Sequence, residues 1–185
     1  MDRESELALV CRIRVGDLAA FDVVYDEFNG RLFGFLARLA RSRDVAEDLL
    51  EETWLRFVAN AARLDAETRL GPWLFTVARN LHVSYCRSRA FEDPNGPELL
   101  SLWPAGFQQS PFEAAAFGEL ERRIESALAT LPVALREVLL LVGVEGLRPI
   151  DAAVVCGITP EALRQRLKRA RDLLSVRLES KEVRR

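Results

Sequence analysis

The side chains best suited to chemistry in this 185-residue chain are basic and amide groups near its C-terminal end. Arg164, Gln165, Lys168 and Arg169 recur at the spacing that places residues on one side of a helix. Arg and Lys can hydrogen-bond guanine edges, Gln can hydrogen-bond adenine, and Arg171 suits a phosphate. This pattern predicts recognition of duplex DNA.

The segment that carries these side chains, residues 149–171, has the pattern of a helix-turn-helix. Gly157 suits the turn, Thr159 is a natural N-cap, and Pro160 is a favourable first helical residue. Ala153 and Leu163 stand where this motif needs a small residue and a core residue. The alternative is an ordinary helical hairpin with a solvated basic side.

A second candidate surface lies on a predicted helix over 43–63, which Ser42 can cap. Apolar residues gather on one side of this helix, which is expected to be buried, and acidic residues gather on the other. The apolar residues are Ala46, Leu49, Leu50, Trp54, Phe57, Val58 and Ala61. The acidic residues are Asp44, Glu47, Asp48, Glu51 and Glu52. Either this side is simply solvated or it docks a basic partner helix.

A third candidate surface lies on a predicted helix over 72–90, and residues 72–91 contain no acidic residue. Leu74, Val77, Ala78, Leu81 and Tyr85 form the predicted core stripe. The opposite side carries Trp73, Phe75, Arg79, Asn80, His82, Val83, Cys86 and Arg87. Rings beside Arg and Asn suit single-stranded DNA, whose bases stack on rings and whose phosphates attract Arg. Alternatively the helix is buried on both sides, with Trp73 and Phe75 in the core. His82 is expected to be a packing or backbone-contact residue rather than a ligand.

The elements that position these surfaces are predicted to be almost all helical. Helical apolar spacing covers 5–14, 18–40, 43–63, 72–90, 112–131 and 132–144. The buried stripe predicted for 18–40 comprises Leu18, Phe21, Val24, Tyr25, Phe28, Leu32, Phe35, Leu36 and Leu39. Residues 92–111 hold four prolines and two glycines, which indicates an irregular linker. The prediction is an all-α chain with domains at 1–91 and 112–185, the second a helix-turn-helix domain.

Composition narrows the function class. The net charge is −2, but residues 161–185 hold nine Lys/Arg against four Asp/Glu. No signal peptide or membrane span is predicted. Cys11, Cys86 and Cys156 are too far apart for a disulfide framework or a zinc site, and their apolar neighbours predict buried free thiols in a reducing cytoplasm. With one His, no phosphate-binding glycine loop and no metal-ligand spacing, we expect no catalytic residue, metal or cofactor.

Together these segments resemble bacterial RNA polymerase sigma factors of the extracytoplasmic-function group. DVAEDLLEETWLRFV at 44–58 resembles the family's core-polymerase-binding segment. GPWLFTVARNLHVSYCRSR at 71–89 resembles its promoter-melting and minus-ten helix, and LPVALREVLLLVGVEGL at 131–147 opens a segment similar to its minus-thirty-five domain. The order of the three segments matches the family.

The resemblance implies a role for each surface. The residues implied to meet the basic coiled coil of the polymerase beta-prime clamp are Asp48, Leu49, Glu51, Glu52 and Arg56. Those implied to hold the opened minus-ten strand are Trp73, Arg79, Asn80, Val83 and Arg87. Those implied to contact the minus-thirty-five duplex are Arg164, Gln165, Lys168, Arg169 and Arg171. The resemblance also implies an anti-sigma partner and a linker in the RNA-exit path.

The chain departs from the family's pattern at three places. Glu51 stands where relatives often carry Gln, and loop 65–71, which in the family helps to build the pocket for a flipped base, lacks the usual Arg-Gly or Lys-Gly. Pro160 and Glu161 alter the start of the recognition helix. The competing interpretations are a stand-alone helix-turn-helix regulator that binds duplex DNA without binding polymerase, an enzyme, and a helical adaptor that binds no DNA.

Overall fold

The computed structural model describes residues 2–92 and 118–179, and all the regular structure in these ranges is helical. The predicted all-α fold is therefore confirmed. The chain divides into two compact units, Met1–Cys86 and Arg87–Arg185, which are described separately. Most of the predicted linker, 92–111, and the start of the predicted helix 112–131 lie outside the described residues.

The first part of the chain forms four α-helices. They are α1 (Arg3–Arg14), α2 (Leu18–Ala40), α3 (Arg43–Asn60, followed by a 3-10 turn at Ala61–Arg63) and α4 (Leu70–Glu92). Side chains cap the first three. The Asp17 carboxylate accepts from the amide of Ala19 at 3.0 Å, and the Ser42 hydroxyl accepts from the amide of Val45 at 3.4 Å. The predicted Ser42 cap is confirmed.

The core of this unit is aliphatic and aromatic, and the rings of Phe35 on α2 and Phe75 on α4 meet edge to face at 5.3 Å between centroids. The predicted stripe on α2 is wrong at Leu18 and Tyr25, which are 79% and 39% exposed. Both residues lie at one edge of the apolar stripe, in the N-terminal half of α2. In this half of α2, the part of the helix surface that is buried is therefore narrower than the stripe of apolar residues.

The second part forms α5 (Glu119–Ala129), α6 (Val133–Leu139, continued by a π turn at Leu140–Val144), α7 (Pro149–Cys156) and α8 (Pro160–Glu179). Its core includes Leu128, Leu131, Leu135, Val138, Leu141, Leu163 and Leu167. Arg136 is only 3% exposed, and its guanidinium donates to the backbone oxygens of Leu128, Ala129 and Leu131 at 2.9–3.0 Å. These carbonyls belong to the last residues of α5 and to the turn that follows it, where the regular hydrogen bonds of the helix end.

The three cysteines are free thiols, as expected from their spacing. Cys156 is buried and Cys86 partly so, and burial raises the pKa of the Cys86 thiol. The prediction of burial is wrong for Cys11, which is exposed because it lies opposite the face of α1 that buries Val10 and Ile13. No helix in the described ranges is long and apolar enough to cross a bilayer.

Candidate functional site

The helix-turn-helix is formed by α7 and α8, and its turn is built as predicted. Gly157 ends α7 with φ +64°, in the left-handed region that glycine enters without steric cost. The Thr159 hydroxyl accepts from the amide of Ala162 at 3.2 Å, and Pro160 is the first residue of α8. Buried Ala153 and Leu163 hold the two helices together.

The α8 face comprises the five predicted DNA-contacting side chains, all of which are exposed. On a helical wheel they span about 160°. Its members are Arg164, Gln165, Lys168, Arg169 and Arg171. Near the start of this face the guanidinium of Arg164 is paired with the carboxylate of Glu161, which lowers the pKa of Glu161. The structure therefore brings the whole set together on one accessible side.

The predicted exposed side of α4 is only partly exposed. Phe75 is fully buried and His82 is 4% exposed, with the Cys86 sulfur 3.6 Å from His82 Nε2. The expectation that His82 is a packing residue is confirmed. The assignment of Phe75 and His82 to an accessible side is wrong, because they occupy a wheel sector that also packs on the core. The alternative of a helix buried on both sides is correct for Phe75 but wrong for Trp73, which it also placed in the core and which is only half-buried.

What remains accessible is the α4 face, defined as Trp73, Arg79, Asn80, Val83 and Arg87. These residues lie within about 120° of one another on a helical wheel. Asn80 and Arg87 are exposed, whereas Trp73, Arg79 and Val83 are half-buried. The Trp73 ring is fixed edge to face against Phe57, with 5.6 Å between centroids. The face thus combines a braced ring with polar and cationic groups.

Thr76 lies within the sector of the α4 face and Ser84 lies just beyond its Trp73 edge, and sequence analysis did not include either residue. The Thr76 hydroxyl donates to the backbone oxygen of Pro72 at 2.7 Å. Their positions on the wheel were sufficient to find them, but small hydroxyl residues stand out less than rings and cations.

The acidic surface is defined as Asp44, Glu47, Asp48, Glu51 and Glu52 on α3, and each is exposed or half-exposed. Arg43 pairs with Glu47 and Arg56 with Glu52, each at 2.8 Å. Both pairs are one helical turn apart and solvent-exposed, so they contribute little to stability. Leu49, which the resemblance assigned to polymerase binding, is 8% exposed and packs beneath this surface.

An apolar groove of about 510 Å³ lies beside the acidic surface, between α2 and α3. Its apolar lining includes Tyr25, Leu50, Trp54, Leu55 and Val58, and Glu47 and Glu51 are at its edge. The Trp54 indole donates to the Asn29 side chain at 3.0 Å, which fixes the ring in the groove. Sequence analysis missed the groove because it placed Val58 on the buried side, whereas Val58 is 58% exposed.

The loop before α4 is joined to α1 by charged side chains. The Glu6 carboxylate accepts from the amide of Leu70 at 2.8 Å, and Arg3 donates to the backbone oxygen of Glu67 at 2.8 Å. The partners are more than 60 positions apart in sequence. Because Glu6 supplies the cap, α4 begins at Leu70 rather than at the predicted residue 72.

The segments that carry these three surfaces match sequence models of one protein family. The family model described as Sigma-70 region 2 matches residues 24–92, and that described as Sigma-70, region 4 matches residues 121–174. The first match contains the acidic surface and the α4 face, and the second contains the α8 face. Both regions belong to RNA polymerase sigma factors.

Individual relatives narrow the family. The ECF RNA polymerase sigma factor EcfG of Rhodopseudomonas palustris is 36% identical over 149 residues, which cover 80% of this chain and 78% of the relative. The RNA polymerase sigma factor CarQ of Myxococcus xanthus is 31% identical over 163 residues, 88% of this chain and 91% of CarQ. This chain belongs to the ECF group of RNA polymerase sigma factors.

A solved structure agrees with this assignment. The structure of the sigma factor RpoE in complex with the anti-sigma factor NepR, from Bartonella quintana, matches with a TM-score of 0.71 and 28% identity. The match covers 86% of this chain and 96% of RpoE.

Proposed function

We propose that this chain binds core RNA polymerase and confers promoter choice on it, while catalysing no reaction itself. The observation that carries the proposal is the combination, in a chain of the ECF sigma family, of an acidic surface with two accessible, cation-bearing faces of different chemistry. One face is suited to duplex DNA and the other to an opened strand. A promoter-specificity subunit needs both.

The acidic surface is the proposed docking site for the basic coiled coil of the polymerase beta-prime clamp. In the described part of the chain, Asp48 and Glu51 have no ion-pair partner, so both are available to cations of the clamp. Leu55 and Val58 in the adjacent groove are each 58% exposed and offer apolar contact to the same partner. Leu49 acts from beneath by packing, and Arg56 orients Glu52.

The α4 face is the proposed contact to the separated minus-ten strand. Trp73 offers a ring for stacking, Arg79 and Arg87 offer cations to phosphates, and Asn80 offers donor and acceptor groups to a base. Val83 supplies an apolar contact within the same sector. Loop 65–71, at the start of α4, is proposed to form one wall of the pocket for a flipped base.

The α8 face is the proposed contact to the minus-thirty-five duplex. Its cations and Gln165 lie on a helix that belongs to a helix-turn-helix, which places such side chains in the major groove. Arg164, Gln165, Lys168 and Arg169 are proposed to reach base edges. Arg171, one turn further along, is proposed to contact phosphate.

The decisive experiment combines the purified chain with core polymerase and measures transcription from promoters of defined sequence. We expect promoter-dependent transcripts only when both are present. Failure to bind core would overturn the proposal, and duplex binding without core binding would favour a stand-alone helix-turn-helix regulator.

A charge reversal tests the docking site. Asp48→Lys should weaken core binding by about tenfold or more at low salt, because it places a cation against a basic partner. Glu4→Lys is the matched control, since Glu4 is an exposed acid on α1, outside the acidic surface. Equal loss of core binding in both variants would indicate a general charge effect and would contradict the docking assignment.

We also propose that the protein acts in the cytoplasm and is held inactive by an anti-sigma factor. Support for an anti-sigma partner comes from the likeness to RpoE, which was solved in complex with NepR. Affinity isolation of the tagged chain from uninduced cells should yield a stoichiometric small protein that blocks transcription when it is added back. Recovery of core polymerase alone would contradict this part of the proposal.

A further inference from the structure

Two residues of α1 reach across the first unit to the loop that precedes α4. Arg3 donates to the backbone oxygen of Glu67 at 2.8 Å and to its carboxylate at 2.9 Å. A weaker bond of 3.4 Å joins Arg3 to the backbone oxygen of Thr68. The other α1 residue is Glu6, whose carboxylate accepts a hydrogen bond from Arg3 at 2.9 Å. One guanidinium therefore links two successive loop carbonyls to the body of α1.

Glu6 is the buried member of this network. It is 8% exposed, and its second carboxylate oxygen accepts from the amide of Leu70 at 2.8 Å. The first amides of a helix have no partner within the helix and are usually capped by a side chain just before it. In α4 the cap comes from a residue 64 positions earlier. The position at which α4 begins therefore depends on α1.

The loop itself is closed by Asp65. Its carboxylate accepts from the amide of Glu67 at 2.7 Å, and its backbone oxygen accepts from the amide of Thr68 at 3.0 Å. These bonds turn the carbonyls of Glu67 and Thr68 toward Arg3. The loop thus has one defined shape, which is held from inside by Asp65 and from outside by α1.

The loop is continuous with the α4 face. The amide of Trp73 donates to the backbone oxygen of Arg69 at 3.0 Å, so the last loop residue is part of the first helical turn. Arg69 lies one helical turn before Trp73 and about 40° from it on a helical wheel, so a shift of the loop relative to α4 is expected to change the surroundings of the Trp73 ring. Groups that fix the loop therefore also fix the geometry offered to a base at that end of α4.

We propose that Arg3 and Glu6 are positioning residues for minus-ten recognition: they hold loop 65–69 against the N-terminal end of α4 and so determine which base that end accepts. The inference rests on the proposed function, because it requires the α4 face to bind an opened strand. Neither residue touches DNA in this proposal. Both act through the position of the loop.

The test compares Glu6→Ala, Glu6→Gln and Arg3→Ala in complex with core polymerase. Transcription is measured from promoters that differ only in one base of the minus-ten element, and hydrogen exchange is measured at the Leu70 amide. Glu4→Ala is the matched control, since it removes an exposed acid from the same helix without touching the loop. Affinity for core polymerase reports whether the first unit remains folded in each variant.

We expect Glu6→Ala to speed exchange of the Leu70 amide by about tenfold or more, because a bond to a charged acceptor is lost. The ratio of transcripts between promoters should change by about fivefold or more, since the loop no longer has a fixed position. Arg3→Ala should change the same ratio, although Arg3 is partly exposed. Glu6→Gln keeps an acceptor for the Leu70 amide and should recover most of the wild-type preference.

An equal decrease on every promoter, with unchanged ratios, would overturn the inference and leave α1 a purely structural element. A change of ratio in Glu4→Ala equal to that in Glu6→Ala would also overturn it. If the wild-type chain supports no promoter-dependent transcription, the proposed function fails and this inference fails with it. Active wild type with unchanged ratios in Glu6→Ala and Arg3→Ala overturns this inference alone.

Discussion

The α4 and α8 faces, both of which are proposed to contact nucleic acid, differ in exposure and in chemistry. The α8 face consists of five exposed side chains, and four of them are cations. In the α4 face only Asn80 and Arg87 are exposed, while its ring is braced against Phe57. Exposed cationic side chains can reach the phosphates and the base edges in the grooves of duplex DNA. An unstacked base, in contrast, needs a ring or a pocket that is held in place.

The two faces also differ in what positions them. Gly157 and Thr159, both within three residues of the start of α8, fix that helix locally. The start of α4 is fixed by Glu6, far away in sequence. A locally positioned helix tolerates changes elsewhere in the chain, whereas α4 depends on the integrity of the whole first unit. The comparison therefore predicts different effects of substitution in the two units.

The largest effect is expected from Phe75→Ala. Phe75 is fully buried against Phe35, so truncation should lower the free energy of unfolding by about 3–5 kcal/mol. Trp73→Ala is the companion variant. It removes a half-exposed ring and should weaken strand binding more than stability. Urea denaturation and binding to a single-stranded minus-ten oligonucleotide by the polymerase complex measure the two quantities.

Two results would contradict the roles assigned to Phe75 and Trp73. If Phe75→Ala keeps full stability but loses strand binding, Phe75 belongs to the α4 face and the distinction between buried and accessible sectors is wrong. If Trp73→Ala binds the single-stranded oligonucleotide as tightly as the wild type, the α4 face does not bind the strand by stacking a base on Trp73.

A smaller effect is expected from Arg164→Ala on the α8 face. Loss of an arginine that contacts a base edge costs about 1–3 kcal/mol and relaxes preference at one position of the upstream element. Arg171→Ala is the comparison variant, because loss of its proposed phosphate contact should weaken binding to all sequences equally and lower the slope of log K against log salt by about 1. Binding to a duplex panel at several salt concentrations measures both. A uniform loss in Arg164→Ala would reassign that residue to phosphate.

The contrast also explains which parts of the site could be predicted from sequence. Exposure of the α8 face follows from helical periodicity together with local turn and cap residues, and all five positions are exposed as expected. On α4 the periodicity of apolar residues such as Leu74 and Ala78 predicts where the buried sector of the helix lies. It does not predict how wide that sector is. The width depends on how many helices pack around α4, and Phe75 and His82 fall in the additional buried part.

Contacts between distant positions were beyond sequence reasoning altogether. No local pattern links Glu6 to Leu70, and Glu6 has the sequence context of a solvated acid at the start of a short helix. The groove beside the acidic surface was missed for a related reason. Val58 continues an apolar pattern on α3, but it lies at the edge of the buried sector and is 58% exposed, although the adjacent Phe57 is fully buried.

Gly157→Ala tests the local positioning of α8 and should destabilise the second unit by about 1–2 kcal/mol. The cause is the left-handed backbone at φ +64°, since no atom lies within 4 Å of an added Cβ. Gly143→Ala is the matched control, because Gly143 also has open space but no positive φ. It should be neutral or stabilise by up to about 1 kcal/mol. Equal stabilities of the two variants in thermal denaturation would show that the turn does not require glycine.

The smallest effect concerns the ion pair between Glu161 and Arg164 at the start of the α8 face. The Arg164 guanidinium lowers the pKa of the Glu161 carboxyl below its ordinary value of 4.5. Because the pKa is lower in the folded state, the pair stabilises the fold above pH 4.5, and this contribution is lost as the pH falls through the folded-state pKa. Both side chains are exposed, so the contribution is small and screened by salt.

An NMR titration of the Glu161 carboxyl is therefore a sharper measurement than denaturation. The pKa should rise toward 4.5 in Arg164→Ala and stay low in Lys168→Ala, which removes a cation one turn further from the pair. An unchanged pKa in Arg164→Ala would mean that the Gln165 side chain or the helix N-terminus, rather than Arg164, stabilises the carboxylate. Arg164 would then be free before DNA binds, and the α8 face would need no rearrangement of this pair to contact a base.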